Sequence, residues 1–272
     1  MKARLINGAG NAFILADARD RPSPTRIDAA RIRAWAQRWA FDQLLVLEKS
    51  GHADAFMRIW NSDGDEVGAC GNGTRAAAWR MMENGAGDRI ALDTAAGVLL
   101  ASRTPGHEVS VDMGPPRLDW RDIPLAREMD TVSLDFYTEV DGVRIENPGA
   151  VNMGNPHAVF FVRDVESLPV ERLGREVEYD PVFPERVNAG FAQILHPEHI
   201  RLRVWERGAG LTPACGTGAC AALVAAHRRG LAGRRASITA DGGELFVEWR
   251  ESDGHVILTG PVEDQGEIEL DL

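Results

Sequence analysis

At 272 residues, with 44% hydrophobic and 26% charged side chains, the chain has an ordinary globular composition and enough length for two domains or one large one, which excludes a small disulfide-stapled scaffold. Thirty Lys+Arg against 41 Asp+Glu leave a net charge of −11, a field that repels a phosphate backbone, and no basic cluster with interleaved aromatics offsets it, so nucleic acid is not an expected partner. No apolar run approaches the ~20 residues of a membrane-spanning helix, the opening residues lack the apolar stretch of a secretory signal, and three cysteines do not read as a disulfide framework; no membrane partner and a reducing, cytoplasmic setting are expected.

In chain order, the sequence first predicts a surface helix over Ser23–Trp39 with arginines on its polar face, then a strand at Ala55–Trp60. An apolar helix follows from about Gly73 through Ala76–Met82 and stops at Asn84-Gly85. A strand at Val109–Met113 leads into Gly114-Pro115-Pro116 and a polar stretch through Ile123-Pro124, turn chemistry that neither helix nor sheet tolerates. Strands are predicted at Ala158–Val162 and Ile200–Trp205, a second apolar helix from about Gly218 through Leu223–Ala226 to Arg229-Gly230, and a last strand at Leu245–Trp249. Helices so apolar are expected at the centre of their domains, with a sheet wrapped around each.

The chain also repeats itself at an offset of about 145 residues. Gly10-Asn11 falls near Gly154-Asn155, Gln43 on Asn188, Arg58–Asn61 on Arg203–Glu206, Ala69–Gly73 on Ala214–Gly218, and Thr94-Ala95 on Thr239-Ala240. Gly114-Pro115 falls one residue further out, on Gly260-Pro261. One coincidence would mean little, but a register held along the whole chain argues for two copies of one α+β fold, with the boundary near Pro116.

The repeated Cys-Gly-x-Gly at the start of each apolar helix carries the chemical signal. Glycines let backbone approach a ligand closely, and the free N–H groups of a helix N-terminus suit a carboxylate. The same position favours thiolate over thiol, which would lower a free cysteine by about one pKa unit towards neutrality and suit a general base. If the halves pack about a pseudo-two-fold axis, Cys70 and Cys215 reach a substrate carbon from opposite faces. One sulfur then removes a proton while the other delivers one, which inverts a stereocentre without pyridoxal phosphate, metal or nucleotide. Free cysteines otherwise usually pack in cores, and Cys220, facing Arg75 in the repeat, is read that way. His196-Pro197-Glu198-His199 reads as a surface loop rather than a metal site, and Gly8-x-Gly10 lacks the third glycine of a dinucleotide fingerprint. The amides of Asn11, Gln43, Asn61, Asn155 and Asn188, each singly more often a turn residue or cap, together suit reading an amino acid's ammonium and carboxylate, and Glu206-Arg207 either matches a zwitterion or forms a local salt bridge. His157 either orients a group near one of the thiols or is a core histidine bonded to backbone.

At Gly8–Phe13, Asn61–Glu66 leading into Cys70–Arg75, Gly154–Val159, and Trp205–Gly208 leading into Ala214–Cys220, the sequence resembles the diaminopimelate epimerases over nearly its whole length. The resemblance implies an α+β fold of two pseudo-symmetric halves, each a mostly antiparallel sheet rolled around a central helix: residues 1–116, joined by the returning 262–272, and residues 117–261, with the site in the cleft between them. It implies cofactor-independent inversion of LL-2,6-diaminopimelate to the meso form, on the way to lysine and peptidoglycan, by Cys70 and Cys215 as acid and base with His157 and Glu206 assisting. Substrate contacts implied are Asn11, Gln43, Asn61, Gly71, Asn72, Asn155, Asn188, Glu206, Arg207, Gly216 and Thr217, with no metal, a small-molecule amino acid as partner, and a homodimer. The sequence departs from the family pattern at Ala12, often Asp, at Ala76, often Cys, and at Ala40-Phe41, where a glycine-rich turn is common. A related cofactor-free racemase for another amino acid, and a non-catalytic amino-acid-binding protein on the same fold, stay open beside it.

Overall fold

The computed structural model describes residues 1–68, 70–105 and 108–271; Ala69 of the repeated motif and Leu272 at the end of the expected return segment lie outside it. Packing divides the chain into two units, Met1–Asp112 with Thr259–Leu272, and Met113–Leu258.

Unit 1 opens with β1 (Lys2–Gly8) and β2 (Asn11–Asp17), antiparallel across the two-residue turn Ala9-Gly10. Both turn residues have positive φ, 55° and 91°, the geometry that matches the twist of a hairpin, and Asn7 Oδ1 accepts the Gly10 N–H at 2.9 Å. Helix α1 (Ala29–Trp39) starts six residues later than the sequence predicts, because Pro24 breaks the pattern and Asp28 caps the helix by accepting the Ala30 N–H at 2.8 Å. Then come β3 (Gln43–Glu48), parallel to β2, β4 (Ala55–Asn61), antiparallel to β3, and the short β5 (Glu66–Val67) on β4. Helix α2 (Gly71–Glu83) is followed by β6 (Arg89–Thr94), parallel to β4, and by β7 (Gly97–Arg103) and β8 (Val109–Asp112), each antiparallel to the strand before it. Residues 71–78 of α2 are all buried, as an apolar helix must be, and β1, β2, β3, β6, β7 and β8 all pack against it.

Unit 2 adds a hairpin, β9 (Tyr137–Val140) and β10 (Val143–Glu146), closed by Asp141-Gly142, and then repeats the unit 1 order. It runs through β11 (Gly149–Asn152), β12 (Pro156–Phe161), α3 (Val170–Glu178), β13 (Asn188–His196), β14 (His199–Glu206), β15 (Gly210–Thr212), α4 (Gly216–Arg228), β16 (Arg235–Ala240), β17 (Gly243–Trp249) and β18 (Val256–Gly260). The two parallel pairings recur at the equivalent places, β12 with β13 and β14 with β16, and the other pairs described are antiparallel. Helix α4 is enclosed by β11, β12, β13, β14, β16 and β17. The chain returns to unit 1 within β18, and β19 (Glu263–Glu269) pairs antiparallel with β1, held by Arg4 donating to Asp264 at 2.6 and 3.0 Å.

Both central helices begin two residues before the sequence prediction, at Gly71 and Gly216, because the cysteines themselves are the N-caps.

Candidate active site

In unit 1 the parallel pairing of β2 with β3, with Phe13 opposite Gln43, and the antiparallel pairing of β3 with β4, with Gln43 opposite Asn61, bring the starts of β2 and β3 and the end of β4 to one sheet edge. Asn11, Gln43 and Asn61 therefore lie together, and Gln43 Nε2 donates to Asn61 Oδ1 at 3.0 Å. Cys70, half-buried with extended φ/ψ of −149° and 113°, caps α2, its Sγ accepting the Gly73 N–H at 3.3 Å. Gly71 and Asn72 occupy the first two helical positions, whose N–H groups have no acceptor within a helix. A Cβ on Gly73 would come within 3.0 Å of Leu45 Cδ2, so glycine lets the helix end sit down on β3.

Asn72 joins this helix end to the sheet. Arg75, fully buried, donates from Nη1 to Asn72 Oδ1 at 2.6 Å, and Asn72 Nδ2 donates to Asn11 Oδ1 at 2.5 Å. A guanidinium only donates, so it fixes which way the Asn72 amide points, and through it the Asn11 amide. The sequence marks Arg75 only as the counterpart of Cys220 in the repeat and the end of the Cys70–Arg75 motif; its arginine-to-amide spacing at i, i+3 on one helix is the signal for this role.

Unit 2 builds the same edge from other side chains. His157 lies opposite Asn188 in the parallel pair, and Glu206 ends β14. Cys215, buried, caps α4 with φ/ψ of −124° and 111°; its Sγ accepts the Gly218 N–H at 3.3 Å and lies 3.5 Å from Thr217 Oγ1. Gly216 and Thr217 take the first two helical positions. The expected lowering of this thiol does not occur. Burial, and after it the Glu206 carboxylate, push Cys215 well above the usual thiol range, outweighing the bonds from Thr217 and Gly218. A helix end is worth about 0.3–1 kcal/mol near the surface, less than the cost of burying a thiolate.

His157 is fully buried, and burial, then the Arg207 guanidinium, lower its pKa from 6.5 to about 3. Its Nε2 lies 2.9 Å from Asn155 Oδ1, which cannot donate, so Nε2 carries the hydrogen and Nδ1 is left as an acceptor without a partner among the described residues. Asn188 is buried; it donates to Pro156 O at 2.8 Å and accepts the Arg207 N–H at 2.9 Å, tying backbone to backbone. Glu206 accepts from Thr212 Oγ1 at 2.5 Å, and the exposed Arg207 donates to Glu185 O at 2.9 Å. Cys220 is buried in α4. His196 and His199 stand at the hairpin between β13 and β14, with His199 Nε2 2.8 Å from Thr239 Oγ1. Among the described residues no three His, Cys, Asp or Glu side chains are placed to hold a metal ion, and no helix is long and apolar enough to cross a membrane.

A family model described as diaminopimelate epimerase matches residues 5–118 and 149–264. The diaminopimelate epimerase of Phenylobacterium zucineum is 54% identical over 269 residues, covering 97% of this chain and 96% of that protein. That of Acidiphilium cryptum is 51% identical over 269 residues, covering 98% and 95%. The fold is shared with a phenazine biosynthesis protein of the PhzF family from Bacillus anthracis, at TM-score 0.69 and 15% identity over 100% of this chain and 99% of that one. It is shared also with a hydroxyproline epimerase from Agrobacterium vitis, at TM-score 0.68 and 17% identity over 98% and 90%. With the full-length matches at half identity and the two cysteine-capped helices in place, the chain belongs to the diaminopimelate epimerase family.

Proposed function

We propose that the protein epimerises LL-2,6-diaminopimelate to the meso form, exchanging a proton at one α-carbon between two thiols. The observation that carries this reading is the twofold occurrence of one device: a cysteine N-cap whose Sγ takes the N–H of the glycine three residues on, at 3.3 Å in both α2 and α4, followed by two residues whose N–H groups have no acceptor within the helix. The N–H groups of Gly71, Asn72, Gly216 and Thr217 receive the α-carboxylate, where the electron pair of the broken C–H bond is delocalised. One sulfur, as thiolate, takes the α-hydrogen as a proton; the other, as thiol, gives its proton to the opposite face. One C–H bond breaks and one forms, and the two sulfurs exchange protonation states.

Burial and then the Glu206 carboxylate raise Cys215 above the usual thiol range, which supports its entering as the acid with Cys70 as the base, and the reverse reaction exchanges these roles. His157 and Glu206 assist at Cys215, and Asn11, Gln43, Asn61, Asn155, Asn188, Glu206 and Arg207 hold the rest of the substrate, Asn188 through the Arg207 backbone. The same reading takes the protein as a cytoplasmic homodimer that needs no cofactor.

The test follows LL-diaminopimelate by NMR in deuterium oxide with reductant, using wild type, Cys70→Ala and Cys215→Ala. Deuterium enters the α-carbon as the meso isomer forms in wild type, and turnover falls by about 10²–10⁴-fold in each variant. Undiminished turnover in either variant overturns the two-thiol step; no exchange by reduced wild type with this substrate, but exchange with another amino acid, moves the assignment to a related racemase. Binding without exchange makes it a binding protein.

A further inference from the structure

Glu178, the last residue of α3, has 1% of its surface exposed, yet it lies in no repeated motif and was not singled out by the sequence. Its two carboxylate oxygens are spent on two different N–H groups: Oε2 accepts from the Trp205 indole Nε1 at 2.7 Å, and Oε1 from the Gly208 backbone at 2.9 Å. Between those partners in the chain lie only Glu206 and Arg207. Arg186 Nη1 stands 3.7 Å from Oε1, so the buried charge has a cation at hand.

One helical turn earlier on the same face is Gly174. A Cβ there would fall 2.3 and 2.4 Å from Trp205 Cβ and Cγ, a separation that packed atoms do not reach, so α3 lies against Trp205 at a distance only glycine permits. The glycine sets the helix down on the strand end and the glutamate locks both sides of the dipeptide, while Asn188 takes the N–H in the middle, that of Arg207.

We propose that Glu178 is a positioning residue for substrate binding: a buried carboxylate clamp that fixes the Glu206-Arg207 dipeptide. This rests on the reading of Glu206 and Arg207 as holders of the substrate zwitterion. Both of Glu178's partners donate, so the site requires two acceptors, and an amide, with one acceptor and one donor, must leave one partner facing N–H to N–H.

The experiment is a double-substitution cycle on the full chain, read by KM and kcat with LL-diaminopimelate. Glu178→Gln is expected to raise KM by about tenfold with kcat changed much less. Trp205→Phe removes the indole donor, so the carbonyl of the introduced amide can serve Gly208 alone; the double variant E178Q/W205F is expected to recover much of the KM lost in E178Q. Unchanged KM in E178Q overturns the proposal, and so do strictly additive effects, which a packing role alone would give. A measurement on wild type does not depend on any variant folding: the Trp205 indole proton, assigned by its loss in W205F, is expected downfield and slow to exchange with solvent, and fast exchange overturns the clamp. An inactive wild type with a protected Trp205 indole would refute the proposed substrate while leaving the clamp standing, and a raised KM in Arg207→Lys beside a normal one in E178Q would refute the clamp alone.

Discussion

The buried imidazole of His157 is expected to make the stability of this protein fall in mild acid. Its pKa is about 3 in the folded chain, against 6.5 for an ordinary histidine, because burial and then Arg207 penalise the charged ring. Between those values the unfolded chain binds a proton that the folded one does not, so stability contributed by this group is fully present above 6.5 and is lost as pH falls. From pH 7.5 to pH 5.0 the loss is about 2 kcal/mol, growing by about 1.4 kcal/mol for each further pH unit until the folded pKa is reached. The perturbation is His157→Gln, which keeps a polar group of similar reach but has nothing to titrate. Urea unfolding of both proteins at the two pH values isolates the term, since the other titrating groups are common to both: wild type loses about 2 kcal/mol more than the variant. Imidazole NMR shifts of wild type give the same quantity without unfolding, and the His157 ring is expected to stay neutral throughout this range. Equal acid sensitivity of the two proteins, or a His157 resonance that titrates above pH 5, would refute the reasoning.

The raised pKa of Cys215 acts at the other end of the scale: above the unfolded thiol pKa the unfolded chain loses a proton that the folded one keeps, so stability falls with rising pH by about 1.4 kcal/mol per unit. Cys215→Ala should flatten that alkaline slope in urea titrations, and an unchanged slope would show that the buried thiol is not held protonated. Ala40 ends α1 at φ 44° and ψ 60°, a left-handed conformation that costs a residue with a Cβ about 1 kcal/mol, so Ala40→Gly is expected to raise the melting temperature by a few degrees, and a fall would contradict the cap assignment.

Much of the candidate site was legible because its signals are local. Two glycines spaced after a cysteine, in front of an apolar run, determine a capped helix with free N–H groups wherever the chain places it, and the match of Ala214–Gly218 to its counterpart marked the second copy. Asp141-Gly142 between apolar and polar alternation also carried a hairpin signal, yet the β9–β10 pair was not among the strands predicted, since the polar linker before it drew the reading towards loop. The late start of α1 was likewise written in Pro24 and Asp28, but an arginine-rich period of 3.6 masked it.

What the sequence by itself determined, then, is the repeat, legible by comparing the chain with itself, and the alternation that makes the strands, the central helices and the cysteines at their tips, which are set by neighbours within a few residues. Only the tertiary structure decided the protonation of Cys215 and His157, because burial is a property of the packed chain and outweighs the local field of a helix end. It decided also that Arg75 orients Asn11 through Asn72, and that Glu178 meets Trp205 across 27 residues and Gly208 across 30. A buried donor or acceptor must find a partner, but which distant residue becomes that partner is fixed by how the strands register and how closely a glycine lets a helix approach.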